Sequence, residues 1–239
     1  PEDKQEIYLR QGPKMLDFVM ANSPLRFQYM KGYSDYYPKF SGAKKEGASI
    51  EPKMINGKLL GADLKKLEKP YIPTPAGVVI YSRDYKWLAI AKVSARGVKA
   101  AAESAARYVK AKLLGQVPLT MGQALAAGLR VGLKRAKVDL WLNTPLMDLE
   151  LDKTGQVTGA VVKRNGINTL LKAKYGVIVA SGGFEHNQNM REQYQPYPAT
   201  NKWTMGAKSN TGDGIRAGEK LGADLDLMDD SWWGPTIPL

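Results

Sequence analysis

Residues 146–183 contain three short β-like runs, two tight-turn signals and an apolar run that ends in two glycines. The β-like runs extend from Leu146 to Leu151, from Val157 to Lys163 and from Thr169 to Lys174. The connections Asp152-Lys153-Thr154-Gly155 and Arg164-Asn165-Gly166 are strong hairpin signals, because their residues tolerate the backbone angles of tight turns. The segment therefore predicts a three-stranded meander within an α/β fold.

The apolar run over residues 175–180 predicts a buried strand, because it is continuous and rich in β-branched residues. It opens into Ser181-Gly182-Gly183, where the backbone can approach a ligand closely because glycine carries no Cβ. A tight exit from the strand with no ligand would require the same residues. Composition alone therefore leaves both interpretations open.

A second glycine-containing segment, Ser209-Asn210-Thr211-Gly212-Asp213-Gly214, precedes a helical pattern and predicts the N-terminus of a helix. Asp213 falls in the first turn, where the helix dipole favours negative charge. Free backbone amides at such an end can bind an anion or an oxygen atom. An ordinary capped helix is the alternative interpretation.

Three longer segments, residues 2–21, 86–114 and 121–137, have helical patterns, and a short strand is predicted over residues 139–142. In the second segment, steps of three and four predict one buried stripe with a break near Gly97. The stripe consists of Leu88, Ala91, Ala95, Val98, Ala102, Ala105 and Val109. In the third segment the pattern is carried by Leu125, Leu129 and Leu133.

The formal net charge is +12, from 35 Lys and Arg against 23 Asp and Glu. A charged stripe opposite the predicted buried stripe consists of Lys92, Arg96, Lys99, Glu103, Arg107 and Lys110. Such a stripe is usually solvated surface, and the alternative is a surface for an anionic partner, including a weak association with a membrane surface. It lacks interleaved aromatic residues and a recognition motif, so no nucleic-acid partner is expected.

The composition excludes several kinds of site. With no Cys and one His, the chain has no disulfide, no thiolate or His-rich metal site and no cysteine nucleophile. The lack of Cys fits a reducing cytoplasm, where we expect the protein to be located. No apolar run approaches the ~20 residues of a spanning helix. The start at Pro1 and the apolar end lead us to expect a piece of a longer protein.

The meander, the Ser181-Gly182-Gly183 exit and the segment over residues 209–214 resemble, in the same chain order, the FAD-dependent 3-ketosteroid dehydrogenases of the fumarate reductase flavoprotein superfamily. The aromatic loop over residues 32–38 and the Trp232-Trp233-Gly234-Pro235 segment resemble the ketosteroid branch. The resemblance implies an incomplete FAD-binding Rossmann-like domain and the start of a substrate-binding domain. Their expected ranges are residues 1–205, with a helical insert over 57–120 and the meander over 146–174, and residues 206–239.

The resemblance also implies roles for particular residues. FAD would be contacted by Leu146, Met147, Ala180, Ser181, Gly182, Gly183, Asn210, Thr211, Gly212, Asp213 and Gly214. A tyrosine of the aromatic loop would take a proton from the ring carbon next to a 3-keto group. The candidates are Tyr29, Tyr33, Tyr36 and Tyr37, of which Tyr33 and Tyr29 are favoured. The flavin N5 would take a hydride from the adjacent carbon. Trp232 and Trp233 would line an apolar pocket for a flat steroid.

No G-x-G-x-x-G fingerprint opens a strand–helix unit in this sequence. That fingerprint places the pyrophosphate of a dinucleotide on a helix N-terminus. We therefore expect the chain to keep some FAD contacts, to lack the main one, and to be inactive and flavin-free when purified. Two alternatives remain open. One is a flavoprotein similar to fumarate reductase or succinate dehydrogenase, with Arg and His clamps on a dicarboxylate. The other is a basic module that binds anionic surfaces.

Overall fold

The computed structural model describes residues 2–70 and 77–231, and the chain divides into two compact units, Pro1–Leu140 and Trp141–Leu239. Each unit contains helices and small antiparallel sheets. The predicted mixed helix-and-sheet fold is therefore confirmed. The domain boundary expected after residue 205 stays a prediction.

Over residues 2–70 and 77–140, the first unit contains four helices, a 3-10 segment and two small sheets. The helices are α1 (Glu2–Asn22), α2 (Ser82–Leu88), α3 (Ala95–Leu113) and α4 (Met121–Arg135), and the 3-10 segment (Gly57–Lys66) is interrupted at Gly61. Strand β1 (Phe27–Tyr29) pairs with β2 (Ile50–Pro52), and β3 (Ile55–Asn56) pairs with β4 (Pro118–Leu119). The helices predicted over residues 2–21 and 121–137 are thus confirmed.

The core of the first unit forms around Leu25, which is completely buried. Its members are Leu25, Ile55, Leu60, Leu119, Ala124, Ala127 and Val131. A Cβ added at Gly128 of α4 would lie 2.3 Å from Leu25 Cγ, so α4 packs too closely for a larger residue. Leu125 and Leu129 are instead 40% and 42% exposed. The leucine pattern therefore does not mark the buried face of α4, because close packing selects its small residues.

The predicted helix over residues 86–114 consists of two helices, α2 and α3, separated by turns over residues 89–93. Its buried face is also not the predicted one, because Gly97, Ala100, Ser104 and Ala111 are buried, whereas Val98 and Val109 are exposed. The small residues let α2 approach α3: a Cβ at Gly97 would lie 2.6 Å from Ala91 Cα and 2.7 Å from the Trp87 carbonyl oxygen. Gly97 therefore lies where α3 contacts α2, and the break between the two helices lies at residues 89–93.

We expect Gly97→Ala to lower the free energy of unfolding by about 1–3 kcal/mol, because the new methyl group meets backbone atoms that cannot rotate away. Urea unfolding followed by circular dichroism measures the change. Gly122→Ala in the first turn of α4 is the matched control, since a Cβ there meets nothing within 4 Å. Equal effects of the two substitutions would contradict the close α2–α3 contact.

In its described part, residues 141–231, the second unit contains the meander and two short helices. Its elements are β5 (Leu146–Leu151), β6 (Val157–Arg164), β7 (Ile167–Lys172), α5 (Gln188–Tyr194) and α6 (Asp213–Lys220). The strands form one antiparallel sheet in the order β5-β6-β7, which confirms the predicted meander, although β7 begins two residues earlier than expected. Asn165 and Gly166 have φ values of 50° and 82°, as the tight turn between β6 and β7 requires.

Two predicted strands, residues 139–142 and 175–180, are wrong for the described part of the chain. Both segments have irregular backbone and pair with no described strand. Tyr175 and Ile178 are 92% and 94% exposed, so the second segment is not buried either. A strand requires a neighbour that accepts its backbone hydrogen bonds, and the described residues supply none.

Candidate functional site

The two glycine segments predicted to meet a ligand lie against each other in the second unit. The Gly212 amide donates to the Gly183 carbonyl at 3.0 Å, and the His186 amide donates to the Asn210 carbonyl at 3.0 Å. The Asn210 side-chain amide donates to Glu185 Oε1 at 2.6 Å. The structure therefore brings residues 180–183 and 210–214 together.

Asn187 is a positioning residue that the sequence analysis missed. Its side-chain amide donates to the Thr211 carbonyl at 2.8 Å, and its Oδ1 accepts a hydrogen bond from the Met190 amide at 3.2 Å. It thus caps α5 and holds the second glycine segment with one side chain. An Asn before a helical pattern predicts a cap, but no sequence signal reveals the bond to Thr211.

Three glycines make this close approach possible. Gly182 and Gly212 have φ values of 81° and 79°, a conformation that side chains with a Cβ rarely adopt. A Cβ at Gly182 would lie 2.6 Å from Asn210 Oδ1, and one at Gly212 would lie 2.4 Å from Met190 Sδ. A Cβ at Gly214 would lie 2.3 Å from Ser181 Oγ. The glycines are therefore required for packing the two segments together.

The assembled segments leave one edge open. Ala180, Ser181 and Gly182 are exposed, whereas Gly212 and Gly214 are buried. A planar ligand can therefore reach the backbone of residues 180–182, which the hydrogen bond between Gly183 and Gly212 anchors at its C-terminal end. Gly214 packs against Ser181 beneath this exposed edge.

Helix α6 begins at Asp213 and is tied to the meander at its other end. Asp213 Oδ1 accepts hydrogen bonds from the Thr211 hydroxyl at 3.1 Å and from Arg216 at 3.2 Å. At the other end, the Lys220 ammonium group donates to Asp148 on β5. That bond lowers the pKa of Asp148 below its ordinary value, with help from the Leu149 amide. Leu146 and half-exposed Met147 precede Asp148 on the same strand.

In the first unit, the aromatic loop connects β1 to β2. The Tyr29 hydroxyl donates to the carbonyl oxygens of Glu46 and Gly47, at 2.6 and 2.9 Å. A Cβ at Gly47 would lie only 1.7 Å from the Tyr33 carbonyl oxygen, so the two sides of the loop touch there. The hydroxyl of Tyr29 therefore holds the loop closed.

Tyr33 presents its hydroxyl differently. The Tyr33 and Tyr36 oxygens are 3.0 Å apart, and their rings meet edge to face. Tyr33 is 40% exposed and Tyr36 is 65% exposed. The hydrogen bond with Tyr36, followed by partial burial, raises the pKa of Tyr33 above its ordinary value. At neutral pH the hydroxyl of Tyr33 therefore keeps its proton.

We expect Tyr36→Phe to lower the pKa of Tyr33 towards its ordinary value, because the partner that stabilises the protonated phenol is removed. NMR titration of tyrosine labelled with ¹³C at Cζ measures this pKa directly. Tyr37→Phe is the matched control, because it removes a hydroxyl from the same loop. The ring of Tyr37 packs on Phe40, with centroids 5.5 Å apart, and the hydroxyl partner of Tyr33 is Tyr36. An unchanged pKa in Tyr36→Phe would contradict the coupling of the two hydroxyls.

The base of the aromatic loop is held by Glu51, a buried carboxylate on β2. Its oxygens accept hydrogen bonds from the Gln28 side chain at 3.1 Å and from the amide and hydroxyl of Ser82, at 2.9 and 2.7 Å. These bonds join the two strands of the loop to the start of α2. Sequence alone does not reveal these partners, because Gln28 and Ser82 lie 23 and 31 residues from Glu51.

The predicted Trp pair and the predicted charged stripe have different outcomes. Trp232 and Trp233 lie outside the described residues. Arg107, predicted on the solvated charged stripe, instead donates to the buried Asp84 at 2.8 Å. Arg107 is therefore part of the α2–α3 contact, because its long side chain reaches Asp84, the only carboxylate of α2. Its predicted place on the solvated surface is wrong.

The sequence model of a known family, the FAD binding domain, matches residues 1–239. Among curated proteins, the 3-oxosteroid 1-dehydrogenase of Mycolicibacterium smegmatis is 47% identical over 244 residues, which cover 100% of this chain and 43% of that protein. The 3-oxosteroid 1-dehydrogenase of Mycobacterium tuberculosis is 47% identical over 242 residues, which cover 99% of this chain and 43% of that protein.

A solved structure matches the whole chain as well. It is the 3-ketosteroid delta1-dehydrogenase of Sterolibacterium denitrificans in complex with 1,4-androstadiene-3,17-dione. The match has a TM-score of 0.88 and 35% sequence identity, and it covers 100% of this chain and 44% of that chain. The chain therefore spans less than half of the length of the relatives it matches.

Proposed function

Because this chain belongs to the FAD-binding domain family, we propose that it is part of a longer FAD-dependent dehydrogenase that acts on a 3-ketosteroid-like substrate. The observation that carries the proposal is the 47% identity to 3-oxosteroid 1-dehydrogenases across the whole chain. The likeness to a steroid-bound dehydrogenase over the same residues supports it.

In this proposal, the exposed backbone of Ala180, Ser181 and Gly182 lies along the flavin, and the buried glycines of residues 212–214 fix its position. The strand start at Leu146 and Met147 contributes a second contact. When bound, the flavin supplies an acceptor for a hydride. The residues of this chain orient that acceptor, and the packed glycines of residues 212–214 hold the loop over residues 180–182 beside it.

For the proton, the geometry favours Tyr33 over Tyr29. The hydroxyl of Tyr29 is engaged by two backbone carbonyls, whereas the hydroxyl of Tyr33 meets another hydroxyl at 3.0 Å. A protonated Tyr33 can accept a substrate proton only if it passes its own proton to Tyr36 at 3.0 Å, and Tyr36, which is 65% exposed, releases its hydroxyl proton to solvent in turn. We therefore assign Tyr33 as the proton acceptor and Tyr36 as its relay.

A dicarboxylate substrate, as in fumarate reductase, is less well supported. Such a substrate needs Arg and His side chains placed to clamp two carboxylates. The single His, His186, is hydrogen-bonded through Nε2 to the Gly206 carbonyl oxygen at 3.0 Å. Nε2 of His186 is therefore occupied by a hydrogen bond to the loop that precedes α6.

The test is anaerobic spectroscopy of the longer protein that contains this chain. We expect a bound flavin whose absorbance bleaches on addition of a 3-ketosteroid and remains unchanged on addition of succinate. This chain alone should be purified without a yellow colour. A colourless longer protein would overturn the proposal, and bleaching by succinate alone would favour the dicarboxylate alternative.

A further inference from the structure

The aromatic loop between β1 and β2 is folded by three tight turns. Each turn is closed by one backbone hydrogen bond of 2.9–3.1 Å, at residues 30–33, 37–40 and 44–47. Asp35 joins the middle of the loop to its third turn, because its carboxylate accepts a hydrogen bond from the Lys44 amide at 2.8 Å. The Asp35 amide also donates to the Lys44 carbonyl at 3.3 Å. The loop therefore presents its side chains from a hydrogen-bonded backbone.

Two pairs of aromatic rings lie next to each other along this loop. Tyr33 and Tyr36 form the polar pair, joined through their hydroxyls. Tyr37 and Phe40 form an apolar pair, with ring centroids 5.5 Å apart, and they are 69% and 70% exposed. Neighbouring exposed rings on a folded loop are typical of a surface that contacts an apolar ligand. The loop therefore places an apolar contact directly after the hydroxyl pair.

The same loop carries four lysines, all of them exposed: Lys31, Lys39, Lys44 and Lys45. None of the four forms an ion pair within residues 2–70 and 77–231. Lys39 lies at the tip of the turn whose ends carry the apolar pair. Lys44 lies where Asp35 joins the third turn to the loop. Positive charge therefore lies beside both aromatic pairs.

The two carboxylates of the loop do not neutralise these lysines. The carboxylate of Asp35 is half-buried and is held by a backbone amide. A Cβ at Gly32 would lie 4.0 Å from Glu46 Oε2 and 3.3 Å from Lys86 Nζ, so Glu46 lies on the side of the loop where Lys86 reaches it from α2. Five ammonium groups thus accompany two carboxylates. The loop has an excess of positive charge next to the residue assigned to proton transfer.

From these features we propose that the substrate is a 3-ketosteroid whose side chain ends in a carboxylate, a proposal that rests on the function proposed above. The keto end of the steroid meets Tyr33, and the apolar ring system lies against Tyr37 and Phe40. The carboxylate at the far end meets the ammonium groups of Lys39 and Lys44. Opposite charges on the loop and the substrate strengthen binding and speed association.

The test compares two steroids of equal size with the longer protein that contains this chain. One is a 3-ketosteroid with a carboxylate at the end of its side chain, and the other carries a primary amide in place of the carboxylate. Anaerobic flavin reduction at varied steroid concentration gives a dissociation constant and a limiting rate for each. At about 0.05 M salt we expect the carboxylate to bind about three- to tenfold more tightly, and at about 0.5 M salt we expect most of that difference to disappear.

Lys39→Gln with Lys44→Gln should weaken binding of the carboxylate steroid about three- to tenfold and leave binding of the amide steroid unchanged. The limiting rate should stay the same for both, because neither lysine takes part in proton transfer. Phe40→Leu should instead weaken both steroids alike, by about threefold, because it removes an aromatic ring from the apolar contact. The two variants thus separate the charged contact from the apolar one.

Lys163→Gln with Lys172→Gln is the matched control, because it removes two exposed positive charges from the meander of the second unit. We expect it to leave both dissociation constants unchanged. Equal binding of the two steroids by the unchanged protein would overturn this inference alone, and so would an equal loss in the control. If neither steroid bleached the flavin, the proposed function would fail and this inference with it. Binding of a single-stranded oligonucleotide that the loop variant abolishes, with no preference between the steroids, would assign the lysines to a nucleic acid instead.

Discussion

Tyr33→Phe is expected to slow the reduction of the bound flavin by a 3-ketosteroid about 10²–10⁴-fold, the range typical of a lost general acid or base. The aromatic ring remains in place without its hydroxyl, so flavin content and substrate affinity should change little. Anaerobic stopped-flow absorbance of the longer protein measures the rate. The rate of the unchanged protein should rise with pH into the alkaline range, because the hydrogen bond with Tyr36 raises the pKa of Tyr33.

Two companion variants separate chemistry from loop structure. Tyr36→Phe should move the pH profile to lower pH, because the pKa of Tyr33 falls when its partner is removed. Tyr29→Phe removes the hydrogen bonds to Glu46 and Gly47, so we expect a lower thermal midpoint and a smaller effect on the rate. If Tyr29→Phe slowed flavin reduction more than Tyr33→Phe, the assignment of Tyr33 would be wrong.

The sequence predicted those elements whose backbone conformation depends on residues close together in the chain. The meander follows from its turn residues, since Asn165 and Gly166 adopt the positive φ values that a tight turn needs. Helix α1 formed over almost the expected range, although it contains Pro13. The helix start at Asp213 was located correctly because helix N-termini have recognisable residue patterns.

The sequence did not reveal which faces pack. Apart from Val131, the buried residues of α3 and α4 are Gly, Ala or Ser. A neighbouring backbone or Leu25 lies within contact distance of Gly97 and Gly128. A hydrophobicity pattern favours the larger Val and Leu side chains and so selects the wrong face. Glu51 and Asn187 were missed for a related reason. Their partners are distant in sequence, at Ser82 and Thr211, and no local pattern specifies a long-range hydrogen bond.

The largest effect on stability is expected from Gly212→Ala, in the segment assigned to the cofactor. Two costs combine there. Alanine at a φ of 79° costs about 1–2 kcal/mol. Its Cβ would also lie 2.4 Å from Met190 Sδ and 3.0 Å from Phe184 Cβ, an overpacking that costs about 1–3 kcal/mol. We therefore expect the free energy of unfolding of this unit to fall by roughly 2–5 kcal/mol, measured by urea unfolding.

Gly222→Ala isolates the first of these costs. Gly222 has a φ of 85° and lies just beyond α6, but a Cβ there meets nothing within 4 Å. Its substitution should therefore cost only about 1–2 kcal/mol. In the longer protein, Gly212→Ala should also weaken flavin binding, because the bond from the Gly212 amide to the Gly183 carbonyl holds the exposed edge in place. If Gly212→Ala weakened flavin binding no more than Gly222→Ala does, the packed glycine segments would not position the cofactor.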